Sequence, residues 1–520
     1  MLTSLERYFS VYRKNIAGHR SSFVSPFGRK RIVYADWTAS GRAYWPIEER
    51  IRQEILPFLA NTHTETTVTG MLMSKAYAEA KYTVKEHVNA GDEDVLVFCG
   101  SGMTAAVNKL QRILGLRVPE RLADYLTNDW RSSLDETLRP VVFVTHMEHH
   151  SNHLSWLETI ATVEVIRRGE DGNVDLDHFQ QLLEQYRSRR NKIAAVTACS
   201  NVTGIRTPYP QITRLIHSHG GYCFVDFSGS APYVDININP PEKDAGLDAI
   251  YFSPHKFLGG PGTPGVLIFK KALYRNAVPD GPGGGTVRYA NPWGEREYVE
   301  DIEQREDGGT PPFLQAIRAA MCIRLKEAMG VDRIQAREEE IVRIVLPRLQ
   351  NMKHVRVLEG NVTNRLGVFA FLVDGAHYNL IVQLLNDRFG IQTRGGCSCA
   401  GPYGHVLLNV DRQQSHAIRE AIVSGDQSRK PGWVRLSVHP TMTNAEIVYV
   451  LNSIEATAAN FRVWAADYQY DAGSNEYSFR TPENTGAKKN SSPNRGFPKF
   501  PVLGVSDVNR EGYIRLYGGK

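Results

Sequence analysis

The 520-residue chain has only six cysteines, and apart from Cys397 and Cys399 they are scattered along the sequence. This sparse set forms no disulfide framework, so we expect a reducing, cytoplasmic location. The chain also lacks an apolar run of about 20 residues, which argues against a membrane span, and it begins without the apolar stretch of a secretory signal. A net charge of only +5 gives no reason to expect a nucleic-acid partner.

Short apolar runs rich in β-branched residues alternate with amphipathic helical patterns between about residues 34 and 270. The runs that we predict as strands are Asp94–Phe98, Pro140–Thr145, Val163–Arg168, Lys192–Cys199, Tyr222–Phe227, Ala249–Ser253 and Gly265–Lys270. This alternation predicts an α/β fold built on a doubly wound, largely parallel sheet.

The pattern changes after the glycine-rich stretch Pro279–Thr286. A long helical region, a strand-like run and a closing helix capped by Thr443 or Asn444 indicate a second, smaller α+β domain. The predicted organisation is an N-terminal helical arm (1–33), a large domain (34–290), a small C-terminal domain (291–465) and a largely irregular tail (466–520), in which "YIRLY" could still form a strand.

Chemically useful side chains follow the predicted strands in order. The turn "CGSGMTAA" after the first strand could hold a phosphate on its backbone amides. His149, Asn201, Asp226 and Lys256 follow later strands, and ligands bind at the carboxyl ends of parallel strands. Each could be a cap or a solvated residue, but together they suit pyridoxal phosphate. The lysine would form the Schiff base, and the carboxylate would keep the pyridine nitrogen protonated.

The loop "TRGGCSCAGPYG" contains two cysteines, Cys397 and Cys399, between glycines. Positions i and i+2 rarely allow a disulfide, which leaves a metal site, a reactive thiol or no special role. A zinc site is the alternative to pyridoxal phosphate, and its candidate ligands are His146, His149, His150, His153, Cys397 and Cys399. That alternative gives Lys256 and Asp226 no role.

Taken together, these motifs resemble the class V aminotransferase group of fold-type I pyridoxal-phosphate enzymes, specifically cysteine desulfurases and selenocysteine lyases. The loop also resembles that of the desulfurase domain of molybdenum-cofactor sulfurases. The segments that carry the resemblance are Tyr34–Gly41, Asn61–Glu65, Met147–Asn152, Ser200–Gly204, Val225–Ala231, Ser253–Gly265, Gly283–Thr286, Arg305–Pro312, Arg394–Pro402 and Val434–Thr441. They occur in order over most of residues 34–460. The resemblance implies a fold-type I transferase with a mostly parallel seven-stranded sheet in the large domain.

The resemblance also implies roles for individual residues. Lys256 would bind the cofactor covalently, Asp226 would face its ring nitrogen, His149 would stack on the ring and take part in catalysis, and Asn201 would lie near the ring's O3′ and the substrate. The residues implied for the phosphate are Gly102, Met103, Thr104, Ser253, His255 and, from the neighbouring subunit of a homodimer, Thr286.

For the substrate, the resemblance implies that Arg435 binds the carboxylate with Arg394 nearby, since a planar guanidinium suits that bidentate role. Cys399, five residues after Arg394, would attack the sulfur of L-cysteine and carry it as a persulfide toward a protein acceptor. Cys397 is either a relay or a bystander.

The sequence departs from the family pattern in three places. Gly229 stands where desulfurases usually have glutamine, the phosphate turn has one extra residue, and the segment Pro402–Trp433 is unlike the usual link. Two other functions stay open: a different class V reaction, such as a C–S or C–Se lyase, aminotransferase or epimerase, and a non-catalytic, partner-binding role.

Overall fold

The computed structural model describes residues 2–62, 64–125 and 134–480. The helices in these residues are α1 (Ser4–Arg13), α2 (Trp45–Arg50), α3 (Val68–His87), α4 (Met103–Ile113), α5 (His150–Leu157), α6 (Leu176–Gln185), α7 (Tyr209–Ser218), α8 (Ile302–Glu306), α9 (Phe313–Met329), α10 (Val331–Gln350), α11 (Tyr378–Phe389), α12 (Gly401–Leu407), α13 (Arg412–Val423) and α14 (Asn444–Trp464).

The strands are β1 (Ser22–Ser25), β2 (Gly28–Arg31), β3 (Val33–Tyr34), β4 (Asp94–Cys99), β5 (Val141–Thr145), β6 (Thr162–Ile166), β7 (Lys192–Thr197), β8 (Tyr222–Asp226), β9 (Ala249–Phe252), β10 (Gly265–Lys270), β11 (Val287–Ala290), β12 (Arg296–Tyr298), β13 (Val355–Val357), β14 (Val368–Val373), β15 (Ile391–Gln392), β16 (Arg394–Gly396), β17 (Trp433–Ser437), β18 (Tyr468–Asp471) and β19 (Glu476–Phe479). His63, within one of the family-like motifs, and the tail segment 481–520 with "YIRLY" lie outside the described residues.

The large domain is built on a seven-stranded sheet with the order β4-β10-β9-β8-β7-β5-β6. Strands β5 to β9 pair in parallel, whereas β10 runs antiparallel to both of its neighbours. The seven predicted strands and the mostly parallel arrangement are therefore confirmed.

Both faces of this sheet are buried, because alternate side chains of each strand enter two separate apolar layers. In β4, Val95 and Val97 pack into the layer that includes α4, whereas Leu96 and Phe98 pack into the layer on the other face. The near-continuous apolar runs of the sequence follow from this double burial.

The segment between β9 and β10 is held in place because the chain reverses direction there. The chain leaves β9 at Phe252, makes a 3₁₀ turn over Pro254–Lys256 and returns as β10 beside β4. At the start of β10, a Cβ on Gly265 would lie 2.2 Å from the carbonyl oxygen of Gly102, so only glycine fits this approach. The turn that contains Lys256 is thereby packed close to the turn that begins α4.

The smaller domain contains an antiparallel sheet with the order β13-β14-β17-β16. Thr443 is the N-cap of helix α14, and its side chain accepts from Glu446 N in a complete capping box, which confirms the predicted cap. The N-terminal segment joins this domain, because β3 pairs in parallel with β15 and Asp36 forms a β-bridge with Ser437.

Several segments differ from the sequence-based expectation or add to it. Within the predicted helical arm only α1 is helical, and the β1–β2 hairpin follows it. The predicted tail begins with a hairpin, β18–β19, that the sequence did not indicate. The predicted domain boundary at residue 291 stays a prediction, although α9 packs along α3 of the large domain. No helix among the described residues is both long and apolar enough to cross a membrane.

Candidate active site

A cavity of about 630 Å³ opens at the carboxyl ends of β7, β8 and β9, where the loop after β16 from the small domain covers it. Twelve of the thirteen predicted site residues line it: Gly102, Met103, Thr104, His149, Asn201, Asp226, Ser253, His255, Lys256, Arg394, Cys399 and Arg435. Thr286 is not among its lining residues. Residues that are up to 333 positions apart in the sequence therefore share one site.

Lys256 and Asp226 form the charged centre of the cavity. Asp226 is buried and Lys256 is partly buried. Desolvation lowers the pKa of the Lys256 amine to about 8, while the charge of Asp226 opposes that shift. Burial likewise raises the pKa of the Asp226 carboxyl, opposed by a hydrogen bond that its Oδ1 accepts from Ser228 N at 2.8 Å. A lysine whose pKa is close to neutrality is partly uncharged and can act as a nucleophile or base.

One end of the cavity is rich in backbone amides and hydroxyls. Gly102 precedes the first turn of α4, and a Cβ there would lie 3.0 Å from Ser253 Oγ and 3.1 Å from His255 Cε1. Ser253 Oγ accepts from Met103 N at 2.9 Å, and the Thr104 hydroxyl lies nearby on the same helix. This N-terminus of an 11-residue helix suits a phosphate group.

His149 lies at the N-cap of α5, where its Nδ1 accepts from Ser151 N at 3.1 Å. Burial is the main cause that lowers the pKa of His149 to about 3, and the positive charges of Lys256 and Arg435 add to it. The imidazole is therefore neutral near pH 7.

The opposite wall of the cavity holds two arginines that share one carboxylate. Arg435 Nη2 donates to Asp36 Oδ1 at 2.6 Å, and Arg394 Nε donates to Asp36 Oδ2 at 2.9 Å. The Arg435 side chain is only 3% exposed, and its Nη1 donates to the Asn201 carbonyl oxygen. With two guanidinium groups and one carboxylate, this wall carries an excess positive charge that would attract a substrate carboxylate.

Several polar atoms at the cavity are buried without a hydrogen-bond partner: Thr38 Oγ1, Asn201 Oδ1, Ser398 Oγ and Arg435 Nε. Unpaired buried polar groups cost free energy, so such a cluster indicates that a polar ligand completes it. The cavity thus combines a phosphate end, a lysine–aspartate centre and a carboxylate end, and its donors and acceptors fit pyridoxal phosphate with an amino-acid substrate.

The two loop cysteines have different surroundings. Cys399 is exposed and lines the cavity, whereas Cys397 is partly buried against the apolar core and is not among the lining residues. The other four cysteines are buried. Of the two loop thiols, only that of Cys399 is therefore placed to reach a ligand in this cavity.

Local packing explains why glycine stands at position 229, where desulfurases usually have glutamine. A Cβ at this position would lie 2.8 Å from the carbonyl oxygen of Cys199, so a larger residue would force the backbone apart. Asn201, Ser228 and Thr197 are polar residues that line the same cavity as Gly229.

Thr286 is fully buried in its own chain, and its hydroxyl donates to the Gly283 carbonyl oxygen at 2.7 Å. Its predicted contact with the phosphate of a neighbouring subunit stays a prediction, which requires that the hydroxyl give up this bond. The unusual segment Pro402–Trp433 contains most of α12 and all of α13, directly after the Cys399 loop.

Sequence reasoning missed Asp36, Thr38 and Ser398 as site residues. The first two lie in the segment Tyr34–Gly41, which carries part of the family resemblance, and the polar residues of that segment were the available signal. The zinc alternative lacks a site: in residues 2–62, 64–125 and 134–480, no three His, Cys, Asp or Glu side chains cluster closely enough to hold a metal ion.

The fold and the lysine–aspartate cavity define an α/β transferase of fold-type I. Residues 33–450 match the family described as aminotransferase class-V, and the chain belongs to this family.

Relatives with curated names include a probable cysteine desulfurase of Halalkalibacterium halodurans, which is 27% identical over 379 residues, or 71% of this chain and 84% of that protein. A cysteine desulfurase of Haloferax volcanii is 26% identical over 386 residues, covering 73% of this chain and 83% of that one.

Solved structures show the same fold. The apo cysteine desulfurase of Thermococcus onnurineus NA1 superposes with a TM-score of 0.67 at 23% identity, covering 86% of this chain and 98% of that one. The cysteine desulfurase CsdA of Escherichia coli gives a TM-score of 0.65 at 20% identity, covering 87% and 98%.

Proposed function

We propose that this protein is a pyridoxal-phosphate-dependent cysteine desulfurase that converts L-cysteine to L-alanine and carries the sulfur as a persulfide on Cys399. The observation that carries this proposal is the position of the Cys399 side chain, which lines the same cavity as Lys256 and Asp226. The names of the family's relatives support the same reaction.

The cofactor, when bound, would withdraw electrons from the substrate's α-carbon. Lys256 would hold it covalently, Asp226 would face its ring nitrogen, and the ring of His149 would pack on its face. The amides at the start of α4, with Ser253 and His255, would bind its phosphate. Ser228 N, which donates to Asp226 Oδ1, helps to keep that carboxylate oriented.

Lys256 would also move protons. Because its pKa is about 8, a substantial fraction of the free amine is neutral near pH 7 to 8 and can accept the α-proton of the substrate. The neighbouring carboxylate of Asp226 favours the charged ammonium that results, so the same nitrogen can return the proton.

Arg435 and Arg394 would bind the substrate carboxylate, and Asp36 would hold the two guanidinium groups in place. Asn201 lies beside Arg435, and its unpartnered Oδ1 can accept from the amino group of the substrate. These contacts would orient the substrate's sulfur toward the covering loop, on which Cys399 lies.

Cys399 would then attack the substrate sulfur as a thiolate. An S–S bond forms, the substrate's C–S bond breaks, and its electron pair passes to the carbon skeleton, which takes up a proton to become alanine. The Cys399 thiol and L-cysteine thus give a persulfide and L-alanine, with no external oxidant.

We further propose that the enzyme is a cytoplasmic homodimer, in which Thr286 serves the neighbouring cofactor, and that a protein thiol accepts the sulfur. The cavity's exposed Cys399 supports such an acceptor, because a persulfide there can be reached from solvent.

The test is cofactor absorbance, alanine formation and mass spectrometry of the loop peptide after addition of L-cysteine. Cys399→Ser should keep the cofactor and its change on cysteine binding but lose the persulfide and turnover. Cys397→Ser is the matched control and should retain both, because its side chain lies outside the cavity. Full persulfide formation in Cys399→Ser, or its loss only in Cys397→Ser, would reject the assignment. Unchanged turnover in Lys256→Ala would reject the whole scheme.

A further inference from the structure

The Cys399 loop, residues 394–401, has an unfavourable backbone conformation. Ser398 and Cys399 have φ values of +53° and +56°, although neither is glycine. Two consecutive side-chain-bearing residues in the left-handed region are uncommon and persist only where surrounding contacts hold them. The loop therefore does not keep this conformation by its own preference.

The contacts that hold it come from the large domain. Asn201 Nδ2 donates to the Ser398 carbonyl oxygen at 2.7 Å. The backbone N–H of His150 donates to the Cys399 carbonyl oxygen at 2.7 Å, and the ring Nε2 of His150 accepts from Gly401 N at 2.7 Å. A single residue thus binds the loop on both sides of Ala400.

The ring of His150 also replaces a missing helix cap. Gly401 is the first residue of α12, and the preceding residue, Ala400, makes no side-chain cap hydrogen bond. The imidazole nitrogen supplies the acceptor that this helix start lacks. A Cβ on Gly401 would lie 3.0 Å from the same Nε2, so the approach of ring and backbone depends on glycine.

We propose that His150 is a positioning residue that fixes the Cys399 loop over the cofactor site, and that loss of its Nε2 hydrogen bond releases the loop and lets Cys399 turn outward. This inference rests on the proposed function. In the closed state the thiol lies at the cavity for attack on the substrate. In the released state, Ser398 and Cys399 can relax to negative φ, which would expose a persulfide to its acceptor.

Only a neutral imidazole can accept the hydrogen bond from Gly401. Burial, with a smaller contribution from Lys430, lowers the pKa of His150, so the accepting form dominates at neutral pH. Two other titratable groups lie close by on this segment, His149 and His153, and the charge of His150 would lower the pKa of each. The bond is therefore lost only as the pH falls through the lowered pKa of His150.

The experiment compares two variants with a matched control. His150→Ala removes the acceptor, whereas His150→Gln places an amide oxygen near the position of Nε2 and cannot be protonated. His153→Gln makes the same change one turn later on α5, where no hydrogen bond to the loop exists in the described structure. The measurements are kcat and KM for L-cysteine, the pH profile of kcat, and hydrogen exchange of the loop amides.

His150→Ala should lower kcat by between about tenfold, the effect of one hydrogen bond, and about a hundredfold, the effect of a misplaced reacting group. KM should stay within about twofold, because the carboxylate-binding arginines are untouched. His150→Gln should restore most of kcat and should lack the acidic decline that His150 causes. Equal kcat in all three variants, or a loss in His150→Gln as large as in His150→Ala, would overturn the proposal.

Hydrogen exchange separates this proposal from the proposed function, because it needs no turnover. In the cofactor-bound protein, the peptide that contains Ala400 and Gly401 should exchange faster in His150→Ala than in the wild type and the His153→Gln control. Unchanged exchange would overturn the proposal even if alanine forms. Faster exchange in a protein that forms no alanine would reject the desulfurase function while leaving the loop contact established.

Discussion

Replacing Asp36 by asparagine should destabilise the cofactor-free protein by about 3–5 kcal/mol, the usual cost of removing one partner from a buried ion pair. The substitution keeps the shape of the side chain but removes the negative charge. Arg435, 3% exposed, then has no carboxylate contact among the described residues, and its Nε is already without a partner. The ion pair between Asp36 and Arg394 contributes little to stability, because the Arg394 side chain is 46% exposed.

The measurement is urea unfolding followed by tryptophan fluorescence. Trp37 is a local reporter, since it adjoins Asp36 and stacks on His439 at 4.1 Å between ring centroids. Arg394→Gln is the matched control, which should cost about 1 kcal/mol or less. The double variant Asp36→Asn, Arg435→Met should recover part of the loss, because it removes the uncompensated buried charge.

A loss of less than about 1 kcal/mol in Asp36→Asn would refute this reasoning, since it would mean that Arg435 is satisfied without the carboxylate. A double variant that is less stable than Asp36→Asn alone would refute it as well. Either result would also remove Asp36 from its proposed role in orienting the substrate-binding guanidinium groups.

Three further predictions concern single positions. In the cofactor-free protein, reductive methylation of Lys256 should rise with pH around a midpoint near 8, because burial lowers its pKa to about 8; a midpoint near 10 would contradict this. Gly229→Ala should lower the free energy of unfolding by about 1–3 kcal/mol through overpacking, because its Cβ would meet the Cys199 carbonyl oxygen at 2.8 Å. The control Gly281→Ala, whose added Cβ would have no atom within 4 Å, should change the free energy of unfolding little. Similar losses of stability in the two variants would exclude the packing argument. Thr443→Ala should cost about 1 kcal/mol in urea unfolding through loss of the capping box, and no change would show that the cap is dispensable.

The central sheet and the cavity floor could be predicted from sequence because local patterns encode them. Apolar runs mark the buried strands, and parallel strands deliver the residues after them to one edge. Asp226 and Lys256 therefore had to lie near each other once their strands were recognised as neighbours. The resemblance to the family added the roles of Arg435 and Cys399, which no periodicity provides.

The contacts between the small domain and the cavity could not be predicted from local patterns. The pairing of Asp36 with Arg394 and Arg435 joins positions hundreds of residues apart, and a carboxylate before a tryptophan carries no sign of its partners. The left-handed conformation of Ser398 and Cys399 is equally hidden, because neither residue type favours it. Both features arise from tertiary contacts that override local preference.

The parallel pairing of Val33–Tyr34 with Ile391–Gln392 has a consequence for how the protein is made. On the ribosome, the first of these strands emerges more than 350 residues before its partner. At about 5–20 residues per second, this corresponds to a delay of roughly 20–70 s. During this interval the large-domain sheet can form with its lysine and aspartate in place, while Asp36 still lacks both arginines. The wall of the cavity that contains Asp36, Arg394 and Arg435 is therefore completed late in synthesis, after Ile391–Gln392 has emerged to pair with Val33–Tyr34.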